Sequence, residues 1–356
     1  MTEAQAMRRA LDLAVRGWGR VDPNPLVGAV ILAQGEPVGE GYHAEFGGPH
    51  AEAVALAAAG ERARGATLVT TVEPCAAVGK QPACAAAIIA AGIRRVVVAM
   101  PDPNPAMAGG GDRLRAAGIE VEIGLAREEA ERQNAGFLHR HARPGRPWVV
   151  VKLATSLDHR IADGAGHSRW ISGEEARDWV HWFRAGFDAI GVGGRTAQID
   201  DPSLTVRGVT EPRRTPTRVV FLGHRRLGPE AALIRTARDV PTILIAPEFT
   251  ASEAAALTER GVEAVSAATL ADALALLDAR GIGSIVIEGG GRLTGALLAA
   301  GLVDRLAWIV SPVWLGDHGI PAVRGFEVGS LLQAERWVVA ERRPLGQDTA
   351  LLFDRR

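Results

Sequence analysis

Three residues that can bind a transition metal lie close together in the first quarter of the sequence. His50 is followed by Cys75 and, after eight intervening residues, by Cys84; these are the only two cysteines among 356 residues. Imidazole nitrogen and thiolate sulfur are donors that Zn²⁺ prefers, and three protein ligands leave the fourth tetrahedral position open, as in catalytic zinc sites. The residue types and their order therefore predict a catalytic zinc site.

A carboxylate stands two residues after the histidine. We expect Glu52 to move protons between a metal-activated water and a leaving amine, without binding the metal itself. A His-x-Glu followed by Pro-Cys and a second Cys is typical of zinc-dependent nucleobase deaminases, in which the usual spacing is Cys-x-x-Cys. The longer segment between Cys75 and Cys84 indicates a subclass with its own substrate loop.

The composition argues against several classes of partner. Lys and Arg total 40 and Asp and Glu total 41, and no basic run with interleaved aromatic residues is present, so nucleic acid is not an expected partner. The first residues, 1–19, are typical of an amphipathic helix and contain no apolar signal core, and no run is long enough to span a membrane. Reduced thiols committed to a metal favour a cytoplasmic location.

The hydrophobic pattern predicts an α/β fold in two domains. A Pro- and Gly-containing segment at 143–147 is typical of a linker, which gives domains at 1–145 and 146–356. Apolar runs alternate with helical patterns on both sides of this linker, as in sheets covered by helices. The predicted strands cover 26–32, 36–43, 67–72, 95–100, 148–153, 189–192, 217–222, 241–246, 284–288 and 306–310. Predicted helices cover 1–19, 49–59, 83–91 and 173–185.

Two glycine-rich turns follow strands in the second half. The run 285–291 passes from a buried strand into a helix that begins near Leu293, and 191–196 is a second such turn. Free backbone N–H groups at a helix start favour phosphate binding. A tight turn without a ligand would give the same pattern, but two such turns in one domain favour a nucleotide with several phosphates.

These residues carry a resemblance to a known family over nearly the whole chain. The N-terminal half resembles the deaminase domain of the bifunctional riboflavin-biosynthesis deaminase/reductases, through the motifs at 22–28, 41–43, 49–52, 73–75 and 102–105. The C-terminal half is similar to their reductase domain, whose fold is like that of dihydrofolate reductase, through 152–158, 169–173, 200–207 and 288–290. The resemblance implies a cytidine-deaminase-like zinc domain followed by a dihydrofolate-reductase-like domain.

The resemblance also implies the chemistry and the cofactors. The first domain would hydrolyse the 2-amino group of a 2,5-diamino-6-ribosylamino-pyrimidinone 5′-phosphate, with Zn²⁺. The second would use NADPH to reduce the ribosyl side chain of the product to ribityl. The expected partner is this small phosphorylated pyrimidine, and we expect the chain to form a homo-oligomer, a dimer or a tetramer.

Site residues follow from the matching motif positions. Zinc would be bound by His50, Cys75 and Cys84, with Glu52 as the proton carrier and Asn24, His43 and Lys80 near the pyrimidine substrate. In the second domain the residues expected at NADPH are Ala154, Trp170, Thr196, Asp200, Gly290, Gly291, Arg292, Leu293, Thr294, Gly295 and Ala296. Those expected at the substrate are Ser168, Arg184, Leu204, Arg207 and Glu288.

Departures from the family pattern leave alternatives open. Residues 76–83 replace a segment that usually contains two histidines, Arg195 replaces a small residue, and Leu222-Gly223 replaces Asp-Ser. A paralogue that acts on a related pyrimidine is one alternative. A deaminase of free or tRNA-borne bases is another, but it leaves the C-terminal half without a role. A non-catalytic module stapled by zinc is disfavoured because structural zinc sites normally have four protein ligands.

Overall fold

The structure is a computed structural model that describes residues 1–77, 82–208 and 211–355. The chain divides into two compact units, Met1–Arg143 and Pro144–Arg356. Within the described residues, no helix has both the length and the apolar character needed to span a membrane.

The first unit consists of one sheet and six helices among its described residues. Its strands are β1 (Gly28–Ala33), β2 (Glu36–Tyr42), β3 (Thr67–Val72), β4 (Arg95–Met100) and β5 (Glu120–Ile123). Its helices are α1 (Glu3–Ala14), α2 (Ala51–Ala59), α3 (Cys84–Ala90), α4 (Gly110–Ala116), α5 (Arg127–Gln133) and α6 (Ala135–Ala142).

The sheet of this unit has the order β2-β1-β3-β4-β5. Strands β3, β4 and β5 are parallel, whereas β1 runs antiparallel to both of its neighbours. The central strands β3 and β4 are buried along almost their whole length, as expected for apolar runs covered on both faces. Because β3 and β4 are parallel, the segments that follow Val72 and Met100 lie at the same edge of the sheet.

The second unit is built on a nine-stranded sheet. Its strands are β6 (Trp148–Thr155), β7 (Arg160–Ala162), β8 (Ala189–Gly193), β9 (Thr217–Phe221), β10 (Thr242–Ala246), β11 (Val262–Ser266), β12 (Ser284–Glu288), β13 (Arg305–Val310), β14 (Ile320–Pro321), β15 (Trp337–Leu345) and β16 (Asp348–Arg355). Its helices are α7 (Glu174–Arg184), α8 (Gly194–Asp200), α9 (Ala232–Arg235), α10 (Ala251–Glu259), α11 (Leu270–Asp278) and α12 (Gly291–Ala299).

The order of this sheet is β11-β10-β9-β8-β12-β6-β13-β16-β15. All strands from β11 to β13 in that order are parallel, and the hairpin of β15 and β16 adds an antiparallel edge. Strands β7 and β14 pair separately. Ligands of open parallel sheets bind outside the carboxyl ends of the strands. The ends of β6, β8, β9 and β12 therefore define where a ligand of this unit is expected.

The α/β class predicted from the sequence is confirmed. The apolar runs 67–72 and 95–100 form β3 and β4, and the runs at 189–192 and 284–288 form β8 and β12. The first predicted helix is shorter than expected, because α1 ends at Ala14 and a short 3-10 turn follows it.

Candidate active sites

The three predicted metal ligands converge at one edge of the first sheet. Cys75 follows the end of β3, His50 immediately precedes α2, and Cys84 begins α3. His50 Nδ1 lies 3.2 Å from Cys84 Sγ and 3.7 Å from Cys75 Sγ, and all three donor atoms lie within 4.8 Å of one another. The two cysteines are buried and unpaired by any disulfide.

The donor set fits a zinc ion. A hydrogen bond from the Cys84 thiol, helped by His50, lowers the pKa of Cys75 to about 4, so its sulfur is a thiolate. The backbone N–H of Cys84 also donates to Cys75 Sγ at 3.2 Å. One imidazole nitrogen and two sulfurs around one point match a catalytic zinc site with an open fourth position, because among the described residues no fourth His, Cys, Asp or Glu belongs to the cluster.

Glu52 lies beside these ligands in the first turn of α2. Its side chain is buried, and its Oε2 atom is 3.5 Å from Cys84 Sγ. Burial raises the pKa of Glu52. A carboxyl with a raised pKa accepts a proton more readily than an exposed one, which suits a proton carrier.

Asn24 and His43 form a fixed polar pair next to the metal ligands. His43 Nδ1 lies 3.0 Å from the Pro49 carbonyl oxygen, and His43 Nε2 lies 3.1 Å from Asn24 Nδ2. This pattern assigns a neutral imidazole whose Nδ1–H donates to Pro49 and whose Nε2 accepts from Asn24. Burial lowers the pKa of His43, consistent with the neutral form. Its ring packs edge-on against that of His50, with centroids 5.4 Å apart.

The loop after β4 contributes a carboxylate for which the sequence analysis assigned no role. Burial raises the pKa of Asp102, which follows β4 at the same edge as Cys75. Glu73, which precedes the Pro-Cys pair, accepts the backbone N–H groups of Asp102 at 3.3 Å and Gly111 at 2.8 Å. Asp102 belongs to the motif at 102–105, but its position near the metal ligands depends on the parallel pairing of β3 and β4, which the sequence does not show. Lys80, predicted at the substrate, lies outside the described residues.

The second unit has a cavity of about 1300 Å³ at the carboxyl ends of its parallel strands. Most of the residues predicted at NADPH line it: Ala154, Trp170, Thr196, Asp200, Gly290, Gly291, Arg292, Leu293 and Ala296. Thr294 and Gly295 do not line this cavity. Thr294 is buried, and a Cβ on Gly295 would fall 2.0 Å from the Arg324 carbonyl oxygen, so the helix packs closely against the chain at this point.

The glycine turn after β12 leaves backbone without side chains at the cavity. Gly289 and Gly290 have φ angles of +69° and +71°, a region that favours glycine. A Cβ on Gly290 would lie 3.1 Å from Thr196 Oγ1, so a larger residue would fill the space between the two turns. The turn leads into α12, whose first backbone N–H groups are available to phosphate oxygens. The backbone here thus fits a dinucleotide cofactor.

All five residues predicted at the reductase substrate also line the cavity, namely Ser168, Arg184, Leu204, Arg207 and Glu288. Arg184 Nε donates to Glu288 Oε1 at 2.5 Å. Lys152, to which the sequence analysis gave no role, also lines the cavity, and its Nζ lies 3.9 Å from Glu288 Oε2. The sequence could have indicated a role for Lys152, because it is the one charged residue in the otherwise apolar strand β6.

Arg184, Lys152 and Glu288 shift one another's pKa values. Burial alone would raise the pKa of Glu288, but the charges of Arg184 and Lys152 and the hydrogen bonds from Arg184 lower it to about 2. Burial lowers the pKa of Lys152, with Glu288 opposing the shift. The cavity therefore contains an ionised carboxylate that is paired with Arg184 and has the Lys152 amine 3.9 Å away.

Comparisons with known proteins match both units of the chain. Residues 1–100 match the family model for the cytidine and deoxycytidylate deaminase zinc-binding region, and residues 147–350 match that for the RibD C-terminal domain. The chain is 40% identical over 381 residues to the riboflavin biosynthesis protein RibD of Escherichia coli, covering 99% of each chain. It is 38% identical over 364 residues to RibD of Haemophilus influenzae, covering 98% of this chain and 96% of the relative.

Solved structures resemble the whole chain as well. RibD of Acinetobacter baumannii superposes with a TM-score of 0.82 at 35% identity, and the coverage is 99% of both chains. A diaminohydroxyphosphoribosylaminopyrimidine deaminase/5-amino-6-(5-phosphoribosylamino)uracil reductase of Thermotoga maritima gives 0.84 at 32% identity, also over 99% of both chains. The fold class predicted from the sequence, a cytidine-deaminase-like unit followed by a dihydrofolate-reductase-like unit, is confirmed. The chain belongs to the RibD family of bifunctional riboflavin-biosynthesis enzymes, which join a zinc-dependent deaminase to an NADPH-dependent reductase.

Proposed function

We propose that this chain deaminates 2,5-diamino-6-ribosylamino-4(3H)-pyrimidinone 5′-phosphate and then reduces the ribosyl side chain of the product to ribityl. The observation that carries the proposal is the buried Glu52 carboxyl 3.5 Å from Cys84, one of three clustered zinc donors. The cationic, glycine-cradled cavity of the second unit supports the reductive step.

In the deamination, His50, Cys75 and Cys84 hold the zinc ion. When bound there, the ion would supply Lewis-acid activation of the water that attacks the ring carbon carrying the amine. Glu52 would take one proton from the attacking water and pass it to the ring nitrogen; it would then carry the second proton, from the new C–OH group, to the leaving amine, so that the C–N bond breaks and the carbonyl forms. Water is consumed and ammonia is released, so the step is a hydrolysis.

The pyrimidine is held by groups that the structure already fixes. His43 is neutral, and its orientation is set by Pro49 and Asn24, so the pair can present the Asn24 side chain to a ring oxygen or nitrogen. Lys80 is proposed to pair with the 5′-phosphate. Because these contacts form with substrate and transition state alike, they act mainly on substrate affinity.

In the reduction, NADPH would supply the hydride to the ribosyl carbon, and water would supply the accompanying proton. We assign its binding to the nine predicted residues that line the cavity, with the glycine turn at Gly290 and Gly291 at the diphosphate. Arg207 and Ser168 bind the substrate phosphate, for which the guanidinium fork is well suited. Arg184 and Glu288 orient the ribosyl chain through their shared ion pair.

The domain limits, the assembly and the compartment are part of this proposal. The deaminase domain spans 1–145 and the reductase domain spans 146–356. The chain forms a homo-oligomer, a dimer or a tetramer, and acts in the cytoplasm. A paralogue that acts on a related pyrimidine remains the second candidate, because residues 76–83 depart from the family pattern.

Chelation of the metal tests whether deamination requires zinc and reduction does not. Ammonia release from the diaminopyrimidine phosphate and NADPH oxidation with the already deaminated substrate are measured before and after zinc is removed. The proposal predicts loss of ammonia release and retention of NADPH oxidation. Ammonia release by the metal-free protein would overturn it.

A further inference from the structure

Besides the Arg184–Glu288 pair, Arg195 and Arg225 line the reductase cavity. Arg195 lies in α8, directly after β8, and Arg225 lies in the loop after β9. Strands β8 and β9 are adjacent and parallel, and they pair as far as Gly193 and Phe221. Both arginines therefore lie at the same carboxyl edge.

Backbone packing brings the two segments together. A Cβ on Gly194 would fall 2.8 Å from the Leu222 carbonyl oxygen, so α8 begins in direct contact with the end of β9. Gln198, three residues after Arg195 and on the same helix face, accepts a hydrogen bond from Arg225 Nη1 at 2.9 Å. The face of α8 that carries Arg195 is thus turned towards the loop that carries Arg225.

Neither charge is neutralised by a carboxylate. Within residues 1–77, 82–208 and 211–355, no ion pair involves Arg195 or Arg225, and both residues are exposed in the cavity. The neighbouring Arg226, by contrast, is paired with Glu253 at 2.8 Å. Strand β9 is followed by the buried, apolar Leu222, which offers no negative charge. Two arginines without a carboxylate partner, next to the apolar Leu222, favour the binding of a ligand that carries an anionic group on an apolar ring or chain.

The strand order indicates which anion this is. The glycine turn follows β12, which has β8 on one side and β6, with Lys152, on the other. A dinucleotide whose diphosphate lies on that turn must point its two halves in opposite directions. Glu288 ends β12 itself, and Lys152, 3.9 Å from it, lies on the β6 side, so the nicotinamide belongs on that side and the adenosine belongs at β8 and β9.

We propose that Arg195 and Arg225 bind the 2′-phosphate of NADPH and make the reductase select NADPH over NADH. The guanidinium fork suits a phosphate, and charge-assisted hydrogen bonds are the strong ones. This assignment rests on the proposed reductase function, and it names the groups of this chain that recognise the cofactor. It also gives a role to Arg195 and Leu222, which depart from the family pattern.

Binding of adenosine 2′,5′-bisphosphate and adenosine 5′-monophosphate, measured by titration calorimetry, tests the assignment without catalysis. These two probes differ only in the 2′-phosphate. Arg195→Ala and Arg225→Ala should each weaken the bisphosphate roughly 10- to 100-fold, the range for a lost charged hydrogen bond, and leave the monophosphate unchanged. Arg226→Ala is the matched control and should change neither. Equal loss for both probes, or no loss for either, would overturn the proposal.

Steady-state kinetics separate this proposal from the reductase function itself. The double variant Arg195→Ala/Arg225→Ala should lose kcat/KM for NADPH and keep kcat/KM for NADH within about twofold of the wild-type value, and the KM for the pyrimidine should not change. If the wild-type protein oxidises neither cofactor, the proposed reductase function is wrong. The calorimetric comparison would still show whether Arg195 and Arg225 bind the 2′-phosphate. An equal fall with NADPH and NADH contradicts the assignment.

Discussion

Arg184 and Glu288 form a two-point ion pair inside the reductase cavity, with Nε 2.5 Å from Oε1 and Nη2 2.8 Å from Oε2. Arg184 ends α7 and Glu288 ends β12, so the pair ties a helix to the centre of the sheet. Lys152 Nζ lies 3.9 Å from Oε2 of the same carboxylate. The stability of this unit should therefore depend on the charge of Glu288.

Glu288→Gln should destabilise the protein at neutral pH by about 3–5 kcal/mol, because it leaves buried cations without their partner. The native pKa near 2 lies below the ordinary value of 4.5, so the ionised carboxylate stabilises the fold above about pH 4.5 and this contribution is lost as pH falls towards 2. Urea unfolding of the wild type and the variant between pH 7 and 3 should show a narrowing gap. A gap that stays constant would contradict the coupling.

Glu52→Gln should retain zinc and lose deamination by about 10²- to 10⁴-fold, the usual contribution of a general acid and base. Glutamine has nearly the same shape but cannot move the proton. Metal analysis and ammonia release are measured on the same sample. Loss of zinc together with activity would show that Glu52 has a structural role, and full activity would remove it from the mechanism.

Gly110→Ala should impair zinc binding although Gly110 is not a ligand. An added Cβ would lie 1.7 Å from the Pro74 carbonyl oxygen, so the segment that carries Cys75 must move. Zinc content after dialysis against a weak chelator should fall. Gly228→Ala, where a Cβ meets nothing within 4 Å, is the control and should retain the metal. Equal zinc retention in both variants would show that the Cys75 loop tolerates displacement.

Asp200→Ala should slow reduction by about 10- to 100-fold, because small errors in cofactor placement are costly for hydride transfer. Asp200 ends α8 and lines the cavity, and Arg169 Nη2 donates to its carbonyl oxygen at 2.9 Å. Asp178→Ala removes an exposed carboxylate of α7 that does not line the cavity and should have no effect. Reduction of the deaminated substrate at the wild-type rate by Asp200→Ala would contradict the placement of the cofactor.

The central strands could be predicted because burial on both faces requires continuous apolar runs. Strands β3 and β4, at Thr67–Val72 and Arg95–Met100, have the predicted bounds. The hairpin of β15 and β16 escaped prediction because its strands carry charges such as Glu341, Arg342 and Arg343 and remain partly exposed. These residues of β15 pair with β16, and the strand that joins β16 to the rest of the sheet, β13, is distant in the sequence.

The metal cluster could be predicted because few other arrangements of His, Cys and Glu share its order. The charged residues of the reductase cavity could not be predicted as a group from the sequence. Lys152, Arg184 and Glu288 come from β6, α7 and β12, and only the insertion of β12 between β8 and β6 brings them together. The same holds for Arg195 and Arg225, whose proximity depends on the pairing of β8 with β9.

The central claim is that one chain performs deamination first and reduction second. Mass spectrometry of the products formed from the diaminopyrimidine phosphate, with and without NADPH, tests it directly. Without NADPH, the account predicts that the deaminated ribosyl compound accumulates, and with NADPH it predicts the deaminated ribityl compound. A reduced product that still carries the 2-amino group, or an unchanged substrate in both mixtures, would contradict the account.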